Sequence, residues 1–294
     1  MVCKTVAVVT STIGRESLER AIRSVHTQTY PCRHYVFVDG EQFHSSAKAI
    51  LDKYPHVIAL YLPMNTGANG WFNSYINAAA PFLVKEDILC FLDDDNTYRP
   101  NHIQTIVDCF NAESNLDFAY SLRNFVRPDG AFVVRDDYQS LGRYVHKLVS
   151  GCTYNIHVQG KKIPVVCRFS KQNLIDVNCM ALSLVCARRV ANIWCERGYG
   201  NDKAVTDYLL ANTKGEMTGR YTVDYTINYR DAFSTYDEFA QYLSEDFAKE
   251  IAEKFLTLFS QENIDAYFGE RPWAKKNNKK CGQKILSFLV RTFL

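Results

Sequence analysis

The chain has 294 residues, 34 Lys and Arg against 32 Asp and Glu for a formal charge of +2, and 47% hydrophobic and 13% aromatic residues. This composition lies outside the disordered range and supports a full core in one large or two small domains, while the near-neutral balance excludes a dedicated nucleic-acid binder, which needs clustered basic excess. Ten cysteines are scattered with no CxxC pair, against a zinc site or disulfide scaffold, and the opening apolar stretch is too short to cross a bilayer, so the expected compartment is the cytoplasm.

Over the first third, short β-branched runs alternate with helical patterns, as in a mostly parallel sheet flanked by helices. Residues 4–10 (KTVAVVT) predict a buried strand, and Leu18, Ala21, Ile22 and Val25 then recur at helical spacing. Residues 34–38 (HYVFV) predict a second strand ending at Asp39-Gly40, 45–54 a second helix and 57–62 a third strand. The loop MNTGANG leads into a helix over about 71–80, stopped by Pro81. Residues 88–92 (ILCFL) are continuously apolar, which suits a central strand covered on both faces. That run breaks at Asp93-Asp94-Asp95-Asn96, and Pro100 opens a helix to about residue 111.

The second half is less regular. Residues 118–122 and 131–134 predict strands around an Arg-Pro-Asp-Gly turn, whereas the polar and basic stretch 135–173 receives no element. An apolar pattern resumes over 174–184, a helix is expected around 187–195, another from near Asp202, and a strand over 221–229. Thr235-x-x-Glu238 matches a capping box, after which Phe239, Leu243, Phe247, Ile251, Phe255 and Phe259 repeat every four residues, predicting a long amphipathic helix. Arg271, Lys275, Lys276, Lys279, Lys280 and Lys284 then precede an apolar run over 285–290. Basic and then apolar, this tail is expected to anchor on an anionic membrane surface.

Three adjacent carboxylates repel one another and call for a cation. Oxygen ligands suit Mg²⁺ or Mn²⁺, which take their remaining ligands from water and a substrate phosphate, so a nucleoside diphosphate is the natural partner. The carboxyl end of a parallel strand is also where open α/β sheets bind ligands.

The segment VVTSTIGRESLERAIRSVHTQTYPCRHYVFVDG, with Ser24-Val25-x-x-Gln28-Thr29-Tyr30 and the strand-ending Asp39, followed by FLDDDNTYRPNHI, resembles family 2 glycosyltransferases. The likeness covers about residues 4–110 and continues more weakly to about 230. It implies an α/β GT-A fold: a Rossmann-like, mostly parallel central sheet flanked by helices, with a helical C-terminal extension. The domain expected over 1–232 divides into a nucleotide-binding half, about 1–112, and an acceptor-binding half, about 113–232. An amphipathic helical region, 233–270, and the tail, 271–294, follow.

The resemblance assigns Thr10 and Ser11 to the lining of the nucleotide pocket, and Asp39 to a hydrogen bond with the base, which specifies uracil. Asn65 and Gly67 belong to the loop beside the donor, although Trp71-Phe72-Asn73 stands where the family carries Arg-Asn. Asp93 falls near the ribose and the metal shell, Asp94 at the variable position of the nucleotide-sugar site, and Asp95 on the Mn²⁺ or Mg²⁺ ion itself. Arg230 would stabilise the departing diphosphate. Asp202 is the expected general base, with Asp207 one turn on as its rival, and Asp176 and Asn178 would line the acceptor site. Trp71, Tyr75 and Trp194 are candidates for stacking on sugars, and His102 and His146 read as structural.

The implied activity is inverting, metal-dependent transfer from a UDP-sugar to a hydroxyl of a glycan or lipid-linked acceptor. Cell-surface polysaccharide or lipopolysaccharide assembly, at the inner face of the cytoplasmic membrane, is the setting the resemblance suggests. A sugar-nucleotide pyrophosphorylase is one alternative, but it wants a Gly-rich basic loop after the first strand, and TSTIGRES has one glycine. A non-catalytic nucleotide- or glycan-binding module is the other, and the Asp93, Asp95 and Asp202 set speaks against it.

Overall fold

The run VAVVTST forms β1 (Val6–Thr12), buried at all but one position, in a computed structural model that describes residues 4–137, 139–143, 153–166, 173–229 and 245–258. Helix α1 (Leu18–His26) buries the predicted stripe of Leu18, Ala21, Ile22 and Val25. Then come β2 (Arg33–Asp39), α2 (His44–Leu51), β3 (Ile58–Leu62), α3 (Ser74–Ala79), β4 (Ile88–Phe91), β5 (Thr97–Tyr98) and α4 (His102–Ala112). The second half supplies β6 (Phe118–Val126), β7 (Phe132–Arg135), β8 (Thr153–Val158), β9 (Lys161–Val166), β10 (Met180–Ser183), α5 (Leu184–Val190), α6 (Asn201–Asn212), β11 (Gly215–Thr226) and α7 (Glu245–Leu258).

One sheet runs β3-β2-β1-β4-β10-β6-β11-β5, with β7 paired to β6, and β8 and β9 form a separate hairpin. Strands β1 to β4 pair in parallel, as do β6 and β11. Between those two groups β10 runs antiparallel to both β4 and β6. The expected α/β architecture, a mostly parallel sheet flanked by helices, is thus observed, with β10 reversed at its centre and the short β5 and β7 antiparallel to β11 and β6. Because β10 is reversed, the residues leading into it lie beside the carboxyl end of β4.

The Ser-Gln-Thr motif that carried much of the sequence likeness does structural work. Ser24 Oγ accepts from the Tyr98 N–H (3.1 Å), and Gln28 Nε2 donates to the carbonyls of Ser24 and Arg99 (2.8 and 2.9 Å). Gln28 Oε1 also accepts from the Ile103 N–H (3.0 Å). The end of α1 is thereby bolted to the segment running from the carboxylate triplet into α4.

Several elements depart from the sequence expectations. The helix expected from about residue 71 starts at Ser74, because Phe72 holds a positive φ of 49° that no helix admits. Helix α5 starts at Leu184, earlier than expected, since Ser183 Oγ caps it by accepting from the Cys186 N–H (3.2 Å). The unassigned stretch contains the β8–β9 hairpin, turned at Gln159 and Gly160, both at positive φ (47° and 77°). Two successive left-handed residues match the twist of a two-residue hairpin.

Helix α7 buries Phe247 and Ile251, in keeping with the predicted stripe. Its Glu253 takes a two-pronged ion pair from Arg127 (2.8 and 2.7 Å) and a hydrogen bond from Tyr229 Oη (2.6 Å), fixing it near β7. Phe239, Leu243, Phe259, the capping box, Arg230, His146 and the basic tail lie outside the described residues. Among the described residues no helix is long and apolar enough to cross a membrane.

Candidate functional site

Buried β4 delivers Asp93, Asp94 and Asp95 to the carboxyl edge of the sheet. Asp93 is the most tightly held of the three. Asn73 Nδ2 donates to its Oδ1 (2.7 Å), Asn178 Nδ2 donates to its Oδ2 (2.8 Å), and its own N–H donates to Asn178 Oδ1 (2.7 Å). Asp94 is buried, accepts from Thr12 Oγ1 (2.6 Å) and lies 3.4 Å from Arg15 Nη1. Asp95 is the open one, its side chain 36% exposed, with one oxygen 3.0 Å from the same Arg15 nitrogen. Asn96 turns inward and accepts from the Thr226 N–H (2.8 Å), locking the triplet to β11.

Behind the triplet lies a buried ion network. Arg123, in the middle of β6, pairs with Asp136 (2.7 Å) and Asp176, donates to Gln139 Oε1 (2.8 Å), and stands 4.3 Å from the ring centre of Tyr225. Asn178 Nδ2 also donates to Asp176 Oδ1 (2.8 Å), so one amide links the triplet to the arginine. Asp176 further caps the turn it begins, accepting from the Asn178 N–H (2.9 Å).

Asp202 enters the same field from the first turn of α6. Burial, and then the negative charge of Asp176, raise its carboxyl to about 6. The Asp93 carboxyl is pushed up to about 8, by burial first and by Asp95 and Asp176 after it. Asp94 and Asp95 are raised too, mainly by burial, with Arg15 opposing. Asp207 is different: it is exposed and ion-paired to Lys203, and it faces solvent on the next turn. Asn201 fixes the start of α6, its Nδ2 donating to Ser74 Oγ (2.8 Å) and to the Trp194 carbonyl.

Some expectations need correction. Thr10 does not line a pocket: it is fully buried, and its hydroxyl meets His34 Nε2 at 2.9 Å. Ser11 lies on the opposite face of β1 and is partly exposed, while Thr12, unmarked in the sequence, reaches the triplet. Asp176 and Asn178 do not present themselves to an acceptor, because both are buried connectors, Asn178 with 0% exposure. Trp194 is core, 5.6 Å from the Phe91 ring. His102 is structural as expected, bonded to Thr222 Oγ1 (2.8 Å) and stacked on Tyr98.

Asp39 is buried and accepts from the Thr66 N–H and hydroxyl and from the Gly67 N–H, each at 2.8 Å. It therefore organises the loop carrying Asn65 and Gly67. A Cβ on Gly67 would meet the Phe72 carbonyl at 2.2 Å and Asp39 Oδ2 at 2.9 Å, so only glycine fits there. Arg123, Asp136, Thr12 and Arg15 are participants that sequence reasoning missed. One signal was available for the first: a lone arginine inside the wholly buried strand FAYSLRNFV.

Among the described residues no three His, Cys, Asp or Glu side chains converge as a metal cage. The donor set nevertheless fits a hard cation. Carboxyls that raise one another's pKa are relieved by one, and an open Asp95 beside Asp93 suits an ion that keeps water and substrate oxygens. A cavity of about 720 Å³ lined by Asp117, Arg143, Lys214 and Glu216 lies at the opposite edge of β6 and β11 and takes no part in this cluster.

The family model for Glycosyl transferase family 2 matches residues 7–173. An uncharacterized protein of Haemophilus influenzae is 30% identical over 103 residues, 35% of this chain and 69% of its own length. Among solved structures, S. aureus TarS 1–349 in complex with UDP aligns over 90% of this chain and 75% of that chain, with 14% identity and a TM-score of 0.48. The complex of the same fragment with UDP-GlcNAc aligns over 90% and 76%, with 14% identity and a TM-score of 0.49.

Proposed function

The chain belongs to glycosyl transferase family 2, and from that premise we propose that it moves a sugar from a UDP-sugar to a hydroxyl of a glycan or lipid-linked acceptor, inverting the anomeric configuration. The observation that carries this reading is the meeting of two kinds of carboxyl in one electrostatic field. The triplet end, Asp93 to Asp95, is held at a strand end by amides, a threonine and Arg15. Asp202, at the start of α6, feels the same Asp176 charge as Asp93 and has its carboxyl raised to about 6.

In this reading Asp95, with Asp93 beside it, would hold Mg²⁺ or Mn²⁺. Such an ion supplies neutralisation of the charge that builds on the departing diphosphate. The protein's own part is positioning and proton handling. Asn73 and Asn178 clamp both oxygens of Asp93, so its carboxyl plane is set before the donor arrives. Asp202 takes the proton of the attacking acceptor hydroxyl, and a carboxyl tuned towards neutral pH is a better base than an ordinary one. A single base with no enzyme nucleophile performs one in-line displacement, which inverts the configuration.

The nucleotide-binding role of about 1–112 and the acceptor-binding role of about 113–232 are part of the same proposal, as are Asp39, Ser11, Asn65 and Gly67 beside the nucleotide and Arg230 near the diphosphate. So are the amphipathic region 233–270, a role in cell-surface polysaccharide or lipopolysaccharide assembly, and attachment of the tail 271–294 to the inner face of the cytoplasmic membrane. Incubation with a panel of UDP-sugars and acceptors, with NMR of the product, tests the central claim. UDP release with an inverted product is expected, pyrophosphate chemistry would point to the pyrophosphorylase alternative, and retention would overturn the mechanism.

A further inference from the structure

Beside the carboxylates lies an aromatic surface that the chemistry above does not use. Phe72 is 58% exposed and Tyr199 85% exposed, with ring centres 5.9 Å apart and planes inclined by 58°. A second pair, Trp71 and Tyr75, has its ring centres 4.9 Å apart alongside. Single exposed apolar residues are ordinary, but grouped rings on built loops mark a binding surface.

These loops are held rigidly. Phe72 sits at φ 49° and Asn69 at φ 58°, a region that bulky residues rarely enter and that clusters at ligand clamps. The Phe72 N–H donates to the Gly67 carbonyl (3.0 Å), and a Cβ on Gly198 would meet the Gly70 carbonyl at 2.7 Å. Three successive residues face three ways: Phe72 presents its ring to Tyr199, Asn73 binds Asp93, and Ser74 receives Asn201. The exposed ring pair therefore joins the loop that clamps the carboxylate triplet to the turn that leads into Asp202, three residues beyond Tyr199.

We propose that Phe72 and Tyr199 form the platform on which a neutral sugar ring of the acceptor stacks, its hydroxyl directed to Asp202. This rests on the glycosyltransferase reading and names where its acceptor lies. A pyranose offers an apolar C–H face and a polar rim, which suits aromatic rings that are apolar in body and open to water at the edge. The donor is an anion that belongs with the cation site and the Asp39 end of this loop, whereas Phe72 at its far end turns its ring to Tyr199. The acceptor must bring a hydroxyl to the base, and Tyr199 lies three residues ahead of that base on the turn into α6.

The test uses the full chain, saturating UDP and Mn²⁺, and the methyl β-glycosides of glucose, galactose and N-acetylglucosamine as probes. Saturation-transfer NMR is expected to show contact to the ring C–H protons of at least one glycoside. That contact should fall at least fivefold in Tyr199→Ala and Phe72→Ala and return in Tyr199→Phe and Phe72→Tyr. UDP affinity by calorimetry should stay within twofold of wild type throughout. No contact in wild type, or contact unchanged in both alanine variants, overturns the platform. Loss of affinity for a UDP-sugar with unchanged affinity for UDP would assign the rings to the donor sugar and also overturn it. If wild type fails to bind UDP, the transferase reading itself has failed, and that result is distinct from a platform failure with UDP binding intact.

Discussion

A carboxyl that must accept a proton near neutral pH cannot be an ordinary surface aspartate, and Asp202 is not one. Burial, and then the Asp176 charge, raise its carboxyl above the ordinary range to about 6. Activity should therefore rise with pH through about 6, and Asp202→Asn should lower kcat by about 10²-fold or more with UDP affinity nearly unchanged. Stability should move the other way. The folded carboxyl binds its proton more tightly than the unfolded one, so ionising it costs stability, a cost absent below about pH 4 and complete above about 6. Asp202→Asn should thus gain in Tm relative to wild type as pH rises from 4 to 7, and a flat difference in thermal melts contradicts the shift. Asp95 should behave oppositely in binding: Asp95→Ala should lose the Mn²⁺-dependent part of UDP affinity in calorimetry, and activity unaffected by EDTA would refute its role.

At the level of elements, the motif in α1 and the triplet after β4 form one unit through Gln28, which makes one hydrogen bond back onto α1 and two across the α1–α4 seam. Gln28→Ala should cost about 1–3 kcal/mol, at roughly 1 kcal/mol for each bond, read in urea unfolding, while UDP affinity below the transition stays near wild type. The strand that ends in carboxylates was legible because a buried β4 reads as a continuous apolar run, and so was the stripe of α1. The insertion of β10 was not, since MALS is four residues long and its direction is set by partners far away in the chain, on β4 and β6. The same holds within the site. The triplet and Asp202 stand out as sequence, whereas Asn178 matters only because the reversed strand sets its amide against Asp93. Thr10 misled because it shares a face of β1 with Thr12, and only Thr12, at the strand end, reaches the triplet, while the Thr10 hydroxyl meets His34 within the sheet.

For the whole molecule, the described elements end at Leu258, ahead of the basic and apolar tail. Truncation after Tyr267 should leave the melting transition in place and release the protein from anionic vesicles in a sedimentation assay, with high salt mimicking the cut, since each basic residue near such a surface contributes about 1 kcal/mol. Full-length protein that ignores anionic vesicles at low salt would end the idea. The reversed β10 bears, finally, on how the protein is born. Asp93 and Asn178 are separated by 85 residues, so at about 5–20 residues per second a ribosome needs roughly 4–17 s to go from making the first to making the second. Through that interval a nascent chain can already pair β1 to β4 in parallel, but Asp93 lacks the amide that clamps it. The half of the sheet that carries Asp93 is made first, and its carboxylate is clamped only when the later half arrives.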